Sequence, residues 1–246
     1  MNSEFYLIIG IVMAAGFVQG LSGFGSAIIA IPLLSFFLDI KTCVPLVTML
    51  GIIIGLINTR ELIQHNQYRR LKPLIVSALV GIPIGVIFIA SMRESIVLFI
   101  LSILLISYSL YTMRGLKIRL FSHRYFAYIS GFFSGWLGAT LSISGPPIIF
   151  YTAAQDWPVK EKKSLLATYF LLVSILTAIG FYISGMLNDR VMILFGYSVI
   201  PLIVGTYLGI MAFNKIVGTY QTIIINLFVL GLGITLLLKL IVHSYS

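Results

Sequence analysis

Ten apolar stretches make up most of this chain, and almost no charge interrupts them. They run at about 5–21, 27–38, 43–57, 73–91 and 96–113, then at about 125–137, 146–154, 164–184, 191–213 and 220–242. Within them the only strongly charged residue is Lys239. A backbone at membrane depth must satisfy its own N–H and C=O groups, which leaves helices or a closed barrel. The alternating pattern of barrel strands is absent, so the stretches read as membrane helices. Composition agrees: 59% of the 246 residues are hydrophobic and 9% are charged, against roughly 25% charged in a soluble domain. That excludes a soluble enzyme, a secreted disulfide domain and an anchored ectodomain. A single cysteine, Cys43, builds neither an internal disulfide framework nor a thiolate metal cage.

The net charge of +9 does not point to nucleic acid, because lysine and arginine collect in cytoplasmic loops. Arg60, Arg69, Arg70 and Lys72 lie in 58–72, and Arg114, Lys117, Arg119 and Arg124 in 114–124. Lys160, Lys162 and Lys163 fall in 155–164, and Lys215 in 214–219. These are twelve of the sixteen basic residues. Placing all four loops in the cytoplasm puts Lys41, Arg93, Arg190 and Lys239 outside, together with both termini. Each half then holds an odd number of passes.

A shift of 115 residues lays GFVQGLSGFGSAIIAIP (16–32) over GFFSGWLGATLSISGPP (131–147). Six of these 17 positions are identical: Gly16/Gly131, Phe17/Phe132, Gly20/Gly135, Gly23/Gly138, Ile28/Ile143 and Pro32/Pro147. The chain therefore reads as two repeats, 1–115 and 123–242, together one transmembrane transport domain. With odd passes their topologies are inverted, the arrangement of secondary transporters. The expected fold is an all-α integral membrane protein whose repeats each hold a broken-helix hairpin and three transmembrane helices.

The breaks carry the chemistry. The first surrounds Ser22, Gly23, Gly25 and Ser26, with Gln19 before it. The second holds Gly138, Thr140, Ser142, Ser144 and Gly145 ahead of Pro146 and Pro147. Each is expected to separate two arms short for full spans, with proline at a helix start. Irregular backbone at this depth is tolerated where protein covers it or a wet cavity lies beside it. Free amides at a helix start attract anions, so these residues, with Thr48 and Thr168 on the following helices, are the candidate substrate-binding set. Small-xxx-small pairs at Gly51/Gly55, Gly81/Gly85 and Gly205/Gly209 are assigned to helix packing. Trp157, Tyr108, Tyr111, Tyr125 and Tyr128 are expected as interfacial anchors. No acid or histidine lies within a stretch, and a serine without a base is a weak nucleophile. The chain is thus not read as an enzyme, and neither cofactor nor metal is called for.

The stretches GFVQGLSGFGSAIIAIPLL and GFFSGWLGATLSISGPPIIFY resemble the paired signature of the TauE/SafE family, the sulfite-exporter-like membrane transporters. The resemblance covers essentially the whole chain. It implies secondary transport, by alternating access around the two broken helices, of sulfite, an organosulfonate or another small organic anion across the plasma membrane. The family's roles carry over to Gly20, Ser22, Gly23, Gly25 and Ser26, and to Gly135, Gly138, Ser142, Ser144, Gly145 and Pro146. Ala139-Thr140 stand where the first break has a second glycine, so the two breaks differ. The partners expected are the anion and the lipid bilayer, with homo-oligomers left open. The same parts would also serve a passive anion channel, and the glycines alone a non-transporting membrane assembly subunit.

Overall fold

A computed structural model describes residues 3–22, 25–60, 68–114, 123–213 and 218–244. Among them are ten α-helices and no strand, one helix for each apolar stretch. They are α1 (Ser3–Ser22), α2 (Ser26–Leu34), α3 (Ile40–Arg60), α4 (Tyr68–Ser91) and α5 (Glu94–Arg114), followed by α6 (Arg124–Leu141), α7 (Gly145–Ala153), α8 (Val159–Ile183), α9 (Asp189–Phe213) and α10 (Gly218–Ser244). Six are long and apolar enough to cross a membrane: α1, α3, α4, α5, α8 and α9. Aliphatic side chains such as Ile87, Ile183 and Ile200 stay exposed on these helices, as a hydrocarbon solvent allows.

The order long, short, long, long, long occurs twice. In each hairpin the first arm is longer than the sequence suggested. α1 has 20 residues and α6 has 18, while α2 and α7 have nine each. At 1.5 Å per residue the first arms reach about 27–30 Å and the second only about 14 Å. The reason is that the first glycines of each motif do not interrupt the helix. Gly16, Gly20, Gly131 and Gly135 remain helical and sit against the backbone of another helix.

The first break lies between Ser22 and Ser26, where the sequence predicts it, but the second falls later than the identities indicate. A shift of 115 carries the first break onto 138–140, which lies inside α6. The helix boundaries instead match at 119, pairing Ser26 with Gly145, Leu34 with Ala153 and Ile40 with Val159. Pro32 is also not at a helix start. It lies inside α2, whereas α7 does open on prolines.

The chain forms two compact units that are not its two halves. The first contains α1, α2, the opening residues of α3, α5, α9 and α10; the second contains the rest of α3 with α4, α6, α7 and α8. The fourth helix of each half thus packs with the first helix of the other.

In the first unit α1 crosses α9 through Gly16, Gly20, Gly205 and Gly209. A Cβ on Gly16 would lie 2.5 Å from the Leu202 carbonyl oxygen, and one on Gly20 would overlap that of Thr206. α5 packs on α10, where Gly233 admits Ile106 and the Ser109 hydroxyl donates to the Asn226 carbonyl at 2.6 Å. Ile31, Leu34, Ile40, Leu101 and Leu105 fill the interior.

In the second unit α4 crosses α6 by the same device. Gly81 and Gly85 meet the backbone at Phe132 and Trp136, while Gly131 and Gly135 meet Leu74 and Ala78. Backbones that close leave no room for a side chain, and dispersion along the seam replaces the hydrophobic drive that lipid removes. Gly51 and Gly55 face Ser174 and Leu171 of α8, so the three pairs assigned to packing all serve it. Leu74, Ile89, Leu141, Ile148, Tyr169 and Phe181 form this core.

Candidate substrate site at two helix breaks

In the first unit the chain leaves α1 at Ser22 and enters α2 at Ser26. Gly25 takes φ +104°, a left-handed conformation that glycine enters without a Cβ clash. Gln19, 7% exposed on the last turns of α1, reaches over the gap, and its Oε1 accepts the Ser26 N–H at 3.1 Å. One orphan donor of α2 is thereby capped by a neutral carboxamide. Gly23 lies outside the described residues.

The far end of α2 is held by charged side chains. Lys239 Nζ donates to the Ser35 carbonyl at 3.3 Å and stands 4.7 Å from the centre of the Phe36 ring. In the turn into α3, Asp39 accepts from Thr42 N at 2.8 Å and Thr42 Oγ1 at 2.9 Å, and Arg190 approaches it at 3.7 Å. Glu94 of α5 accepts the Ile40 N–H at 3.1 Å. A surface cavity of about 280 Å³ opens beside this turn, lined by Phe5, Ile8, Leu38 and Leu194 with Glu4 and Arg190.

In the second unit α6 ends at Leu141 and α7 starts at Gly145. Ser142 has φ +54°, and among the described residues it alone combines a side chain with positive φ. Its N–H donates to the Gly138 carbonyl at 2.8 Å, and its hydroxyl lies 3.0 Å from Thr48 Oγ1 on α3. The carbonyl of Ser144 accepts from Ser134 Oγ, ten residues back on α6.

The candidate residues therefore divide. Ser142, Ser144 and Gly145 lie together at the second break, and Thr48 joins them although it follows the first hairpin in sequence. Gly138 stays within α6, one turn before Ser142. Thr140 is fully buried without a hydrogen-bond partner, and its Oγ1 sits 3.2 Å from where a Cβ on Gly85 would be. Its hydroxyl thus lies against α4. Thr168 returns its hydroxyl to the Ser164 carbonyl of its own helix, at 2.9 Å. Gln19, Gly25 and Ser26 gather at the first break, where α1 ends at Ser22.

Ser134 was not anticipated from sequence. Between Gly131 and Gly135 it reads as one more small packing residue, and only its reach to Ser144 marks it. Among the aromatics, Tyr125 and Tyr128 are exposed, but Tyr108 is buried, because α5 turns it into the interior of its unit. Trp157 carries the Arg70 guanidinium 4.4 Å above its ring and meets Tyr151 edge-on at 5.9 Å, while Arg70 also pairs with Glu161. Trp136 packs edge-on against Phe88 at 5.7 Å.

The two helix starts offer different donors. Ser26, Ala27 and Ile28 in the first turn of α2 all carry an amide proton. In α7 Pro146 and Pro147 carry none, which leaves Gly145 beside the hydroxyls of Ser142 and Ser144. The first turn of α2 thus offers three amide protons, that of Ser26 already on Gln19, and the first turn of α7 offers one.

The sequence model described as Sulfite exporter TauE/SafE matches residues 8–236, a span that runs from α1 into α10 and includes both breaks. The chain belongs to the TauE/SafE family. It is a multi-pass membrane protein of a transporter family. Comparison with curated proteins and with solved structures returns no match. The two nine-residue helices that open at breaks inside apolar bundles are thus features of a TauE/SafE chain.

Proposed function

We propose that this protein is a secondary transporter that moves a small anion, sulfite or a related organosulfonate, across the plasma membrane by alternating access. The observation that carries this reading is the pair of short helices, α2 and α7, each beginning at an irregular segment within a membrane bundle. Such starts suit an oxyanion because unpaired donors and the positive helix pole coincide there. Gln19, Ser22, Gly23, Gly25 and Ser26 supply contacts at the first break. At the second they come from Ser142, Ser144 and Gly145, with Gly138, Thr140 and Thr168 in support and Thr48 orienting Ser142. The two halves are inverted repeats with both termini outside, and neither cofactor nor metal takes part.

The test is tracer flux in proteoliposomes of verified integrity, with sulfite, sulfate, sulfoacetate and a short carboxylate, with and without a pH gradient. Saturable flux of a sulfur anion at ordinary transporter turnover supports the proposal. Flux far above about a thousand per second without counter-transport indicates a channel, and absence of flux for all four anions refutes transport of this class. Cysteine labelling tests the topology: residues introduced at positions 2 and 246 should both react from outside.

A further inference from the structure

Lys239 lies in the apolar stretch Asn226–Ile241 of α10. A charge at the centre of a membrane helix costs at least about 2.5–3.5 kcal/mol and less toward its end, where Lys239 stands five residues before Ser244. A lysine near a helix end commonly extends its ammonium toward the headgroups. This one is turned onto the Ser35 carbonyl at 3.3 Å and the Phe36 ring at 4.7 Å. Ser35 is the C-cap of α2, with its N–H on the Ile31 carbonyl and its hydroxyl on that of Pro32. The ammonium therefore sits on the negative pole of the very helix whose positive pole opens at the first break.

We propose that Lys239 sets the preference of the first break for anion charge, acting through α2 without touching the anion. This rests on the anion-transport reading above. α2 has nine residues, so its poles lie only about 14 Å apart. At that length the negative pole offsets part of the positive field at the opposite end. An ammonium on the C-cap carbonyl offsets the negative pole and raises the potential at the break, beside the Asp39 and Glu94 carboxylates at the following turn, whose charge stays the same when Lys239 is substituted. A carbonyl and a ring carry no formal charge, and both ion pairs recorded among the described residues belong to other cations, Arg70 and Arg190. The positive charge of Lys239 is thus not spent on a carboxylate. At the other pole the cap on Ser26 is the neutral carboxamide of Gln19. At about 15 Å and an effective dielectric constant near 20, one such charge changes the affinity of a unit anion about sixfold, and that of a dianion about fortyfold.

The experiment compares KM for tracer methanesulfonate, a monoanion, and sulfate, a dianion, in proteoliposomes of the full chain at one pH. Lys239→Gln keeps a polar N–H group at the position, one bond shorter, and removes the charge. It should raise KM about sixfold for methanesulfonate and about fortyfold for sulfate. Lys239→Arg keeps the charge and should stay within about twofold of the parent for both. Phe36→Glu, at an exposed position, neutralises the ammonium with Lys239 in place and should reproduce the charge-dependent loss. It provides the same readout should Lys239→Gln fail to fold. An equal rise for the two anions, or none, overturns the proposal and leaves Lys239 as a fastening of α2. If the unsubstituted chain transports neither these anions nor sulfite, the underlying reading fails first, before any variant is compared.

Discussion

The Ser142 and Thr48 hydroxyls lie 3.0 Å apart, joining the break between α6 and α7 to a helix 94 residues earlier in the chain. Ser142 holds a left-handed conformation, φ +54°, that disfavours any residue with a Cβ by about 1 kcal/mol or more. Glycine is the usual occupant of such a helix end. The hydroxyl is what serine brings there that glycine lacks. Ser142→Gly should relax the backbone and lose one hydrogen bond, leaving stability within about 1 kcal/mol of the parent. Ser142→Ala keeps the strain and loses the bond, so it should be destabilised by about 1–2 kcal/mol. Both should slow transport. Thermal unfolding in detergent, read beside flux, tests this; equal melting of the two variants would remove the strain argument.

Gly20 and Gly231 should respond in opposite ways to the same substitution. A Cβ on Gly20 would overlap the Thr206 carbonyl, whereas one on Gly231 meets nothing within 4 Å. Gly20→Ala has to push α1 off α9 and should cost at least about 1–3 kcal/mol. Gly231→Ala should be neutral or slightly stabilising, since alanine favours the helix by up to about 1 kcal/mol. Size-exclusion profiles and melting curves of the two variants give the answer, and a well-behaved Gly20→Ala protein would contradict the close crossing.

Much of this architecture is legible in the sequence, because the bilayer forces each long apolar run into a helix. The stretches 27–38 and 146–154 are short in the sequence, but so is 125–137, which the structure extends to the 18 residues of α6. What periodicity does not carry is which helix meets which. Glycine that closes a helix crossing and glycine that opens a break look identical until the partner is known. For that reason the matched glycines set the repeat alignment at the crossings and the second break falls four residues beyond it, while the first lies between Ser22 and Ser26 as its composition predicts. The same limit hid Thr48 beside Ser142 and Lys239 beside Ser35, a pair 204 residues apart. Composition marked Lys239 as unusual, but only the fold supplies the carbonyl it serves.

Gln19 caps Ser26 with an uncharged oxygen, which leaves the α2 pole available to an anion. Gln19→Glu would place a fixed carboxylate on that pole and should raise KM for sulfate at least about tenfold at neutral pH, as a tethered competitor. Gln19→Ala removes the cap and should cost about 1 kcal/mol of stability. Concentration-dependent uptake and thermal unfolding measure the two effects. An unchanged KM in Gln19→Glu would place the anion elsewhere.

Arg70 pairs with Glu161 and stacks on Trp157 at one end of the second unit. Both ionic side chains are partly exposed, so their coupling should be small, about 0.2–1 kcal/mol, and should shrink in high salt. A double-mutant cycle of Arg70→Gln and Glu161→Gln measures it. Trp157→Leu should cost about a further 0.5–1 kcal/mol that salt does not erase, since it removes the ring beneath the cation.

The crossing of α1 with α9 has a consequence for how the molecule is made. Among the described helices α1 leaves the ribosome first, yet its glycine face has no seam to close until α9, some 170 residues later, has been synthesised. At about 5–20 residues per second that is a wait on the order of ten to thirty seconds, with Gly16 and Gly20 facing lipid or the insertion machinery. The second unit is complete once α8 is inserted, so birth order and assembly order run opposite for the two. A nascent chain halted after α8 already holds every helix of the second unit, whereas α1 and α2 still lack α9 and α10.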